Sequence, residues 1–254
     1  MESTNKIALV TGSSRGLGKN MALQLAEKGH DVIVTYNSKK EEALEVVAAV
    51  EAKGRRSVAL QLNTGAVKGF DAFVQQLKQQ LNAVWKRDSF DFLVNNAGID
   101  SKGMIADTTE EAFDNLCNIH LKGVFFLTQK LLPVIADKGR IINLSTGLAR
   151  FTTPGYAAYA SMKGAIEVFT RYLAKEAGTR GINANVVAPG IIQTDFTKEV
   201  YEKHPEAIAF IASQTALGRT GMPDDIGGIV AFLCSEEARW ITAQRIEASG
   251  GMFL

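Results

Sequence analysis

Cysteine, histidine and proline are all scarce in this chain: two, three and five residues out of 254. Two cysteines, Cys117 and Cys234, cannot build a disulfide scaffold, and neither has a Cys or His neighbour at zinc-ligand spacing. An excess of one charge is missing as well. Lys and Arg number 28 against 27 Asp and Glu, a formal net charge of +1, which offers no net basic field to nucleic acid. No apolar run nears the ~18 residues of a membrane span, and the opening apolar stretch, Ile7–Val10, is too short for a secretory segment. The expectation is a cytoplasmic, metal-free chain with no membrane or nucleic-acid partner.

What is present is a regular alternation. With 46% hydrophobic and 22% charged residues the chain has ample material for a packed core. Short apolar runs stand at 7–11, 31–36, 57–62, 90–95, 140–145 and 183–188, with a weaker one at 246–248. Helical patterns separate them. One runs from about Leu17 to Lys28 and is closed by Gly29, and a second, amphipathic pattern from Glu41 to Lys53 is closed by Gly54. Continuous apolar strands separated by helices predict an α/β fold: a doubly wound parallel sheet of about seven strands, with helices on both faces. No repeat or linker divides the chain, so one domain over 1–254 is expected. The weakly periodic stretch at about 191–219 follows a strand end, where a lid over a substrate would sit.

Three motifs carry chemistry. Thr11-Gly-Ser-Ser-Arg-Gly-Leu-Gly18 follows the first strand and opens the first helix, where glycines let the backbone approach a pyrophosphate and free helix N–H groups receive its charge. Asn95-Asn-Ala-Gly98 ends the fourth strand. Tyr159 and Lys163 stand four apart on one helix, so hydroxyl and amine share a face, and a nearby cation lowers a Tyr pKa from its usual ~10 toward neutrality. Taken singly, each has a plain alternative: a Gly/Ser turn without ligand, an ordinary Asn/Gly turn, and a solvated Lys beside a half-buried Tyr.

In combination and in this order, the motifs make the chain resemble the short-chain dehydrogenase/reductase family over nearly its whole length. Pro189-Gly190 followed by Thr194, and the closing Ser249-Gly-Gly251, extend the likeness. It is strongest to β-ketoacyl-carrier-protein reductase-like and glucose-dehydrogenase-like members. The resemblance implies a Rossmann-type oxidoreductase that moves a hydride between NAD(P) and a carbonyl or secondary alcohol. By that likeness Gly12, Gly16 and Gly18 line the pyrophosphate, with Ser14, Arg15 and Leu17 at the cofactor. Asn95, Ala97 and Gly98 flank the adenine ribose. Tyr159 is the general acid, and Lys163 binds the nicotinamide ribose while lowering the Tyr pKa. Pro189, Gly190, Ile192 and Thr194 hold the nicotinamide.

The chain departs from the family pattern at three positions. The catalytic Ser expected thirteen places before the Tyr is Thr146, preceded by Ser145. A Thr hydroxyl still donates to a substrate oxygen, and its methyl narrows the space. A family Asn is replaced by His120, whose main-chain carbonyl serves a water-linked proton path as well and whose imidazole titrates near neutral pH when unperturbed. A packed, hydrogen-bonded His without a relay role is the alternative. An Asp facing the adenine is replaced by Asn63, beside Thr64, which keeps an acceptor and gains a donor.

Cofactor choice follows from charge. NAD selectivity needs an acid about 20 residues past the glycine loop, but the second strand is followed by Asn37, Ser38, Lys39 and Lys40, with no acid before Glu41. Arg15 and Lys39 suit a 2′-phosphate, and Asn37 and Ser38 donate hydrogen bonds to it, so NADP(H) is expected, with NAD(H) open as the alternative. Thr146, Phe151, Tyr156, Ile191 and the lid point to a small-molecule ketone or aldehyde on an apolar body, or to a 3-oxoacyl thioester of fatty-acid synthesis. A cofactor-binding redox sensor without turnover is the reading from another class. The exposed look of Trp240 and Met252-Phe-Leu254, with the family's habit of pairing through this end, implies a homotetramer.

Overall fold

Seven apolar runs form one parallel sheet, and its strand order fixes where a ligand can bind. In the computed structural model, which describes residues 5–254, the strands are β1 (Ile7–Val10), β2 (Asp31–Tyr36), β3 (Ser57–Gln61), β4 (Phe90–Asn95), β5 (Ile135–Leu144), β6 (Asn183–Pro189) and β7 (Arg245–Ala248). All pairs are parallel, in the order β3-β2-β1-β4-β5-β6-β7. The chain winds outward from β1 to β3, then restarts on the other side of β1 with β4. The crevice at the carboxyl ends of β1 and β4 is therefore the switch point of a doubly wound Rossmann-type sheet.

The helices are α1 (Gly16–Glu27), α2 (Lys40–Glu51), α3 (Phe70–Gln80), α4 (Glu110–Cys117), α5 (Gly123–Leu131), α6 (Ala157–Ala177), α7 (Lys198–Lys203), α8 (Pro205–Ser213) and α9 (Asp224–Leu233). Because successive strand residues face opposite sides, Ala8 and Val10 pack with Met21, Leu25, Val46 and Val230 of α1, α2 and α9. Ile7 and Leu9 pack instead with Phe70, Leu77, Leu131 and Leu173 of α3, α5 and α6. Both faces of the sheet are thus covered, as the unbroken apolar strands require.

Three details depart from the sequence pattern. The fifth strand starts at Ile135 rather than at Arg140, with a register irregularity and Lys138 at φ 63°. The run from α4 to α5 is one helix interrupted by a five-residue π turn, Asn118–Lys122, that carries His120. The stretch 191–219 holds two short helices, α7 and α8, between an Ile192–Gly221 bridge and a Thr215–Met252 bridge. No residue of α8 is buried, although Ile208, Phe210 and Ile211 lie on it. Among the described residues no helix is long and apolar enough to cross a membrane.

Candidate active site

The glycine loop is held from beneath by hydroxyls. Ser13 Oγ donates to Val10 O (2.8 Å) and accepts from Thr35 N (3.0 Å), while Thr35 Oγ1 accepts from Gly12 N (3.1 Å). Across the crevice, Thr11 Oγ1 accepts from Asn96 N and Ala97 N (2.9 and 3.0 Å). The Asn96 amide donates to Thr11 O (2.8 Å) and Gly12 O (3.2 Å). The close approach demands glycine. At Gly12 (φ +62°) a Cβ would lie 2.9 Å from Ala97 Cα, and at Gly18 it would lie 2.3 Å from Gly12 O. The Ncap residue of α1, Arg15, makes no side-chain cap among the described residues, so the first N–H groups of the helix and their partial positive charge stay open to an anion. An open cleft of about 270 Å³ runs along the side of α1 from Gly16 toward the start of α9, lined by Lys19, Asn20, Leu23, Thr194, Asp195 and Pro223.

The structure distributes the remaining expected cofactor positions around this crevice. Asn37 and Ser38 are exposed at the end of β2. Lys39 lies 3.4 Å from Glu42, and Arg15 reaches across to Asp195 at 3.8 Å. Asn63 Oδ1 accepts from Gly65 N (3.0 Å), closing an Asx turn, and Thr64 O lies 2.0 Å from where Gly123 would carry a Cβ, so α5 starts flush against this loop. Gly190 N donates to Ala248 O (3.1 Å), which seats Pro189-Gly190 beside the last strand, while Ile192 is buried and Thr194 lies beside Gly16.

Asn95 departs from the expected role. Its side chain does not face the crevice; it is buried and donates to Thr128 Oγ1 (3.1 Å) and Asn143 Oδ1 (2.8 Å). Asn143 in turn donates to Thr170 Oγ1 (2.9 Å), so the amide ties β4 and β5 to α5 and α6. The alternation of strand side chains sends Asn95 inward and leaves the following Asn96 to hold the glycine loop. Thr11, Ser13 and Asn96 lie within the sequence motifs without an assigned role, and Thr35 lies outside them; a Thr at or next to the end of each of the first two apolar runs is the available signal.

Tyr159 sits in the first turn of α6, with Lys163 one turn on and wholly interior. Lys163 Nζ donates to Leu144 O (2.8 Å) and lies 5.7 Å from the centre of the Tyr159 ring. Burial pulls the Lys163 pKa down to about 8. The Tyr159 pKa is raised, by burial and then by the Asp100 carboxylate and Tyr156, which is the reverse of the lowering expected from the sequence. The reason is geometric: Lys163 is bonded to the strand carbonyl and faces the aromatic ring.

His120 meets Tyr159 edge-on, with ring centroids 5.2 Å apart at 88°. Its Nε2 lies 2.8 Å from Ile99 O and 3.2 Å from Ile99 N, and its Nδ1 has no hydrogen-bond partner among the described residues. Burial, reinforced by the Lys163 charge, lowers its pKa to about 3. The imidazole is therefore neutral across the physiological range and does not titrate near pH 7 as an unperturbed His would. Its position in a π turn fits the tendency of such turns to mark functional sites. Of the two candidate hydroxyls, Ser145 is committed to the Glu167 carboxylate at 2.7 Å. Thr146 is half-buried and has extended backbone, and its hydroxyl accepts from Leu148 N at 3.3 Å.

Known proteins share this fold. A family model described as enoyl-(acyl carrier protein) reductase matches residues 12–253. The chain is 39% identical to the 3-oxoacyl-[acyl-carrier-protein] reductase FabG of Staphylococcus aureus strain Mu50, over 98% of both chains. It superposes on LugOII, a promiscuous reductase that catalyses keto-reduction at C1 in lugdunomycin biosynthesis, with TM-score 0.93, 37% identity and 100% of both chains covered. It also superposes on the landomycin C-6 ketoreductase LanV with bound NADP and rabelomycin, with TM-score 0.90 and 35% identity over 98% of this chain and 97% of that one.

Proposed function

This chain belongs to the short-chain dehydrogenase/reductase family, and from that premise we propose that it is an NADP(H)-dependent reductase of ketones or aldehydes carried on an apolar body. The observation that carries the reading is the Tyr159–Lys163 pair on one face of α6, with Tyr159 held protonated beside the crevice that the glycine loop lines. A protonated phenol can donate its proton to a substrate oxygen, as carbonyl reduction requires.

The crevice fits a dinucleotide phosphate by its own shape. Gly12, Gly16 and Gly18 clear a path that a Cβ at Gly12 or Gly18 would obstruct, and the uncapped start of α1, with Ser14, Arg15 and Leu17, faces an anion. Ala97 and Gly98 form the opposite wall, Asn63 and Thr64 border the adenine end, and Pro189, Gly190, Ile192 and Thr194 border the nicotinamide end. Arg15, Asn37 and Ser38 are exposed with no carboxylate between Tyr36 and Lys40, which supports a 2′-phosphate. When bound, the nicotinamide supplies the hydride. Tyr159 then delivers its hydroxyl proton to the carbonyl oxygen, and Thr146 Oγ1 orients that oxygen. Lys163 places a positive charge beneath the phenol. His120 packs the Tyr159 ring and fixes the Ile99 main chain.

Exposed apolar side chains on the segments that follow β4 and β6 support an apolar substrate. Met104, Phe196, Phe210 and Met222 are exposed, and Phe151 packs on Phe253 at 5.0 Å. A second reading, reduction of a 3-oxoacyl thioester on a carrier protein, is favoured by the identity to FabG. One panel separates the two: kcat/KM with NADPH and with NADH, on free aromatic ketones and on 3-oxoacyl thioesters. The proposal expects faster turnover of the ketones with NADPH, and preference for NADH would refute the cofactor assignment. Homotetramer formation is supported by Trp240 and Leu254, 95% and 94% exposed, and by Phe125 and Tyr172 on the outer face of α5 and α6. A monomeric mass in solution at micromolar concentration would contradict it.

A further inference from the structure

Two arginines and two glutamates join the last strand to the residues that carry the candidate oxygen-orienting hydroxyl. Arg245 on β7 uses three separate donors. Nη2 donates to the main-chain carbonyl of Thr146 (3.1 Å), Nε to Glu167 Oε1 (2.7 Å) and Nη1 to Glu247 Oε2 (2.9 Å). Glu167 lies one turn beyond Lys163 on α6, and the oxygen that receives Arg245 also receives Ser145 Oγ (2.7 Å). Ser145 and Thr146 are thus gripped at two points, one by its side chain and the other by its carbonyl. Behind them, Glu247 accepts from Arg150 Nε and Nη2 (both 2.6 Å) and from Ser249 Oγ (2.7 Å), and Arg150 Nη2 donates to Met252 O (2.7 Å). Met252 forms the bridge to Thr215 at the base of the 191–219 segment.

The placement argues for more than surface pairing. Arg245, Glu167 and Glu247 keep only 24%, 15% and 20% of their side-chain surface exposed. A lysine also has three donors, but all on one nitrogen, so it could not span the three separate positions that Nε, Nη1 and Nη2 of the planar guanidinium reach. An apolar residue at 245 would leave the Glu167 carboxylate against Ser145 without its cation. The Thr146 carbonyl, which also accepts from Ala149 N (3.2 Å), would then lose its tie to the last strand, one of the two bonds that set the direction of the Cα–Cβ axis and hence of Oγ1.

We propose that Arg245 is a positioning residue, which aims the Thr146 hydroxyl at the substrate oxygen by holding the Thr146 carbonyl and, through Glu167, the Ser145 side chain. The inference rests on the reading of Thr146 given above. Its test is a double-mutant cycle with Arg245→Met, Arg245→Lys and Thr146→Ala, reading kcat, KM and NADPH affinity by fluorescence titration. Misaiming a reacting group by about 1 Å costs on the order of 100-fold, so Arg245→Met is expected to lower kcat about 10- to 100-fold with NADPH affinity within about twofold. In the Thr146→Ala background the same change should cost less than about twofold, because the hydroxyl it positions is gone. Arg245→Lys keeps the charge; it should fold as the parent does and still lose kcat, so it carries the cycle if Arg245→Met does not fold. Equal losses in both backgrounds, or full kcat in Arg245→Lys, would overturn the positioning role. Full kcat in Thr146→Ala alone would instead overturn the role of Thr146, a different result.

Discussion

Replacing Asn96 by alanine tests how the glycine loop is held. The amide makes two hydrogen bonds to loop carbonyls, at 2.8 Å to Thr11 O and 3.2 Å to Gly12 O. Its nitrogen also lies 2.6 Å from where Gly18 would carry a Cβ, so it is wedged between the loop and the first turn of α1. At about 1 kcal/mol net for each bond, the change removes about 2 kcal/mol. If the whole loss falls on the fold, Tm drops by roughly 4–8 °C for a domain of this size. If instead the loop opens while the fold holds, NADPH affinity weakens by up to about 30-fold, since 1.4 kcal/mol is a factor of ten. Melting curves and fluorescence titration of one preparation measure both shares, and their sum should approach 2 kcal/mol. Asn96→Asp should cost more, because it sets a carboxylate against two carbonyl oxygens. Unchanged Tm together with unchanged affinity in Asn96→Ala would refute the reasoning.

Further outcomes follow from the same geometry. In Gly98→Ala the new Cβ would lie 2.6 Å from His120 Cε1, and His120 is pinned by Ile99 and touches Tyr159, so kcat should fall about tenfold or more; wild-type kcat would contradict this. Because burial lowers Lys163 to about 8, kcat/KM for carbonyl reduction should decline above that pH, and a profile flat to pH 9 would count against a charged Lys163 in the free enzyme. The same shift acts on stability with the opposite sign to activity. With the folded pKa near 8 and the unfolded value near 10.5, the unfolded chain binds the proton more tightly, so the penalty is full below about pH 8 and relieved as pH rises toward 10.5. Lys163→Met should therefore raise Tm at pH 7 while abolishing turnover, as differential scanning fluorimetry would show. His120, lowered to about 3, should contribute no ionisation to activity between pH 5 and 8, so His120→Asn should leave the apparent pKa values in place.

The architecture was legible because its strands are unbroken apolar runs and its glycines sit where the backbone turns. The crevice was legible for the same reason: Gly12 and Gly18 are required by contacts shorter than any Cβ allows. What escaped the sequence depends on direction and on neighbours distant in the chain. Asn95 and Asn96 are adjacent and chemically identical, yet one faces the core and the other the loop. Spacing brings Lys163 to the face of Tyr159, but burial, followed by the Asp100 carboxylate and Tyr156, decides the sign of the Tyr159 pKa shift. The π turn at His120 adds a residue that no helical period announces. Arg245 and Glu247, an alternating pair of opposite charges in a weak last strand, were the visible trace of the half-buried network around Thr146.

Substituting Tyr159 by phenylalanine probes the chemistry most directly, since it removes one oxygen and keeps the ring that packs on His120. Measured under saturating NADPH with an aromatic ketone, kcat should fall at least about 100-fold, with NADPH affinity and Tm close to those of the parent. Carbonyl reduction at the parental rate in that variant would contradict the assignment of Tyr159 as the proton donor.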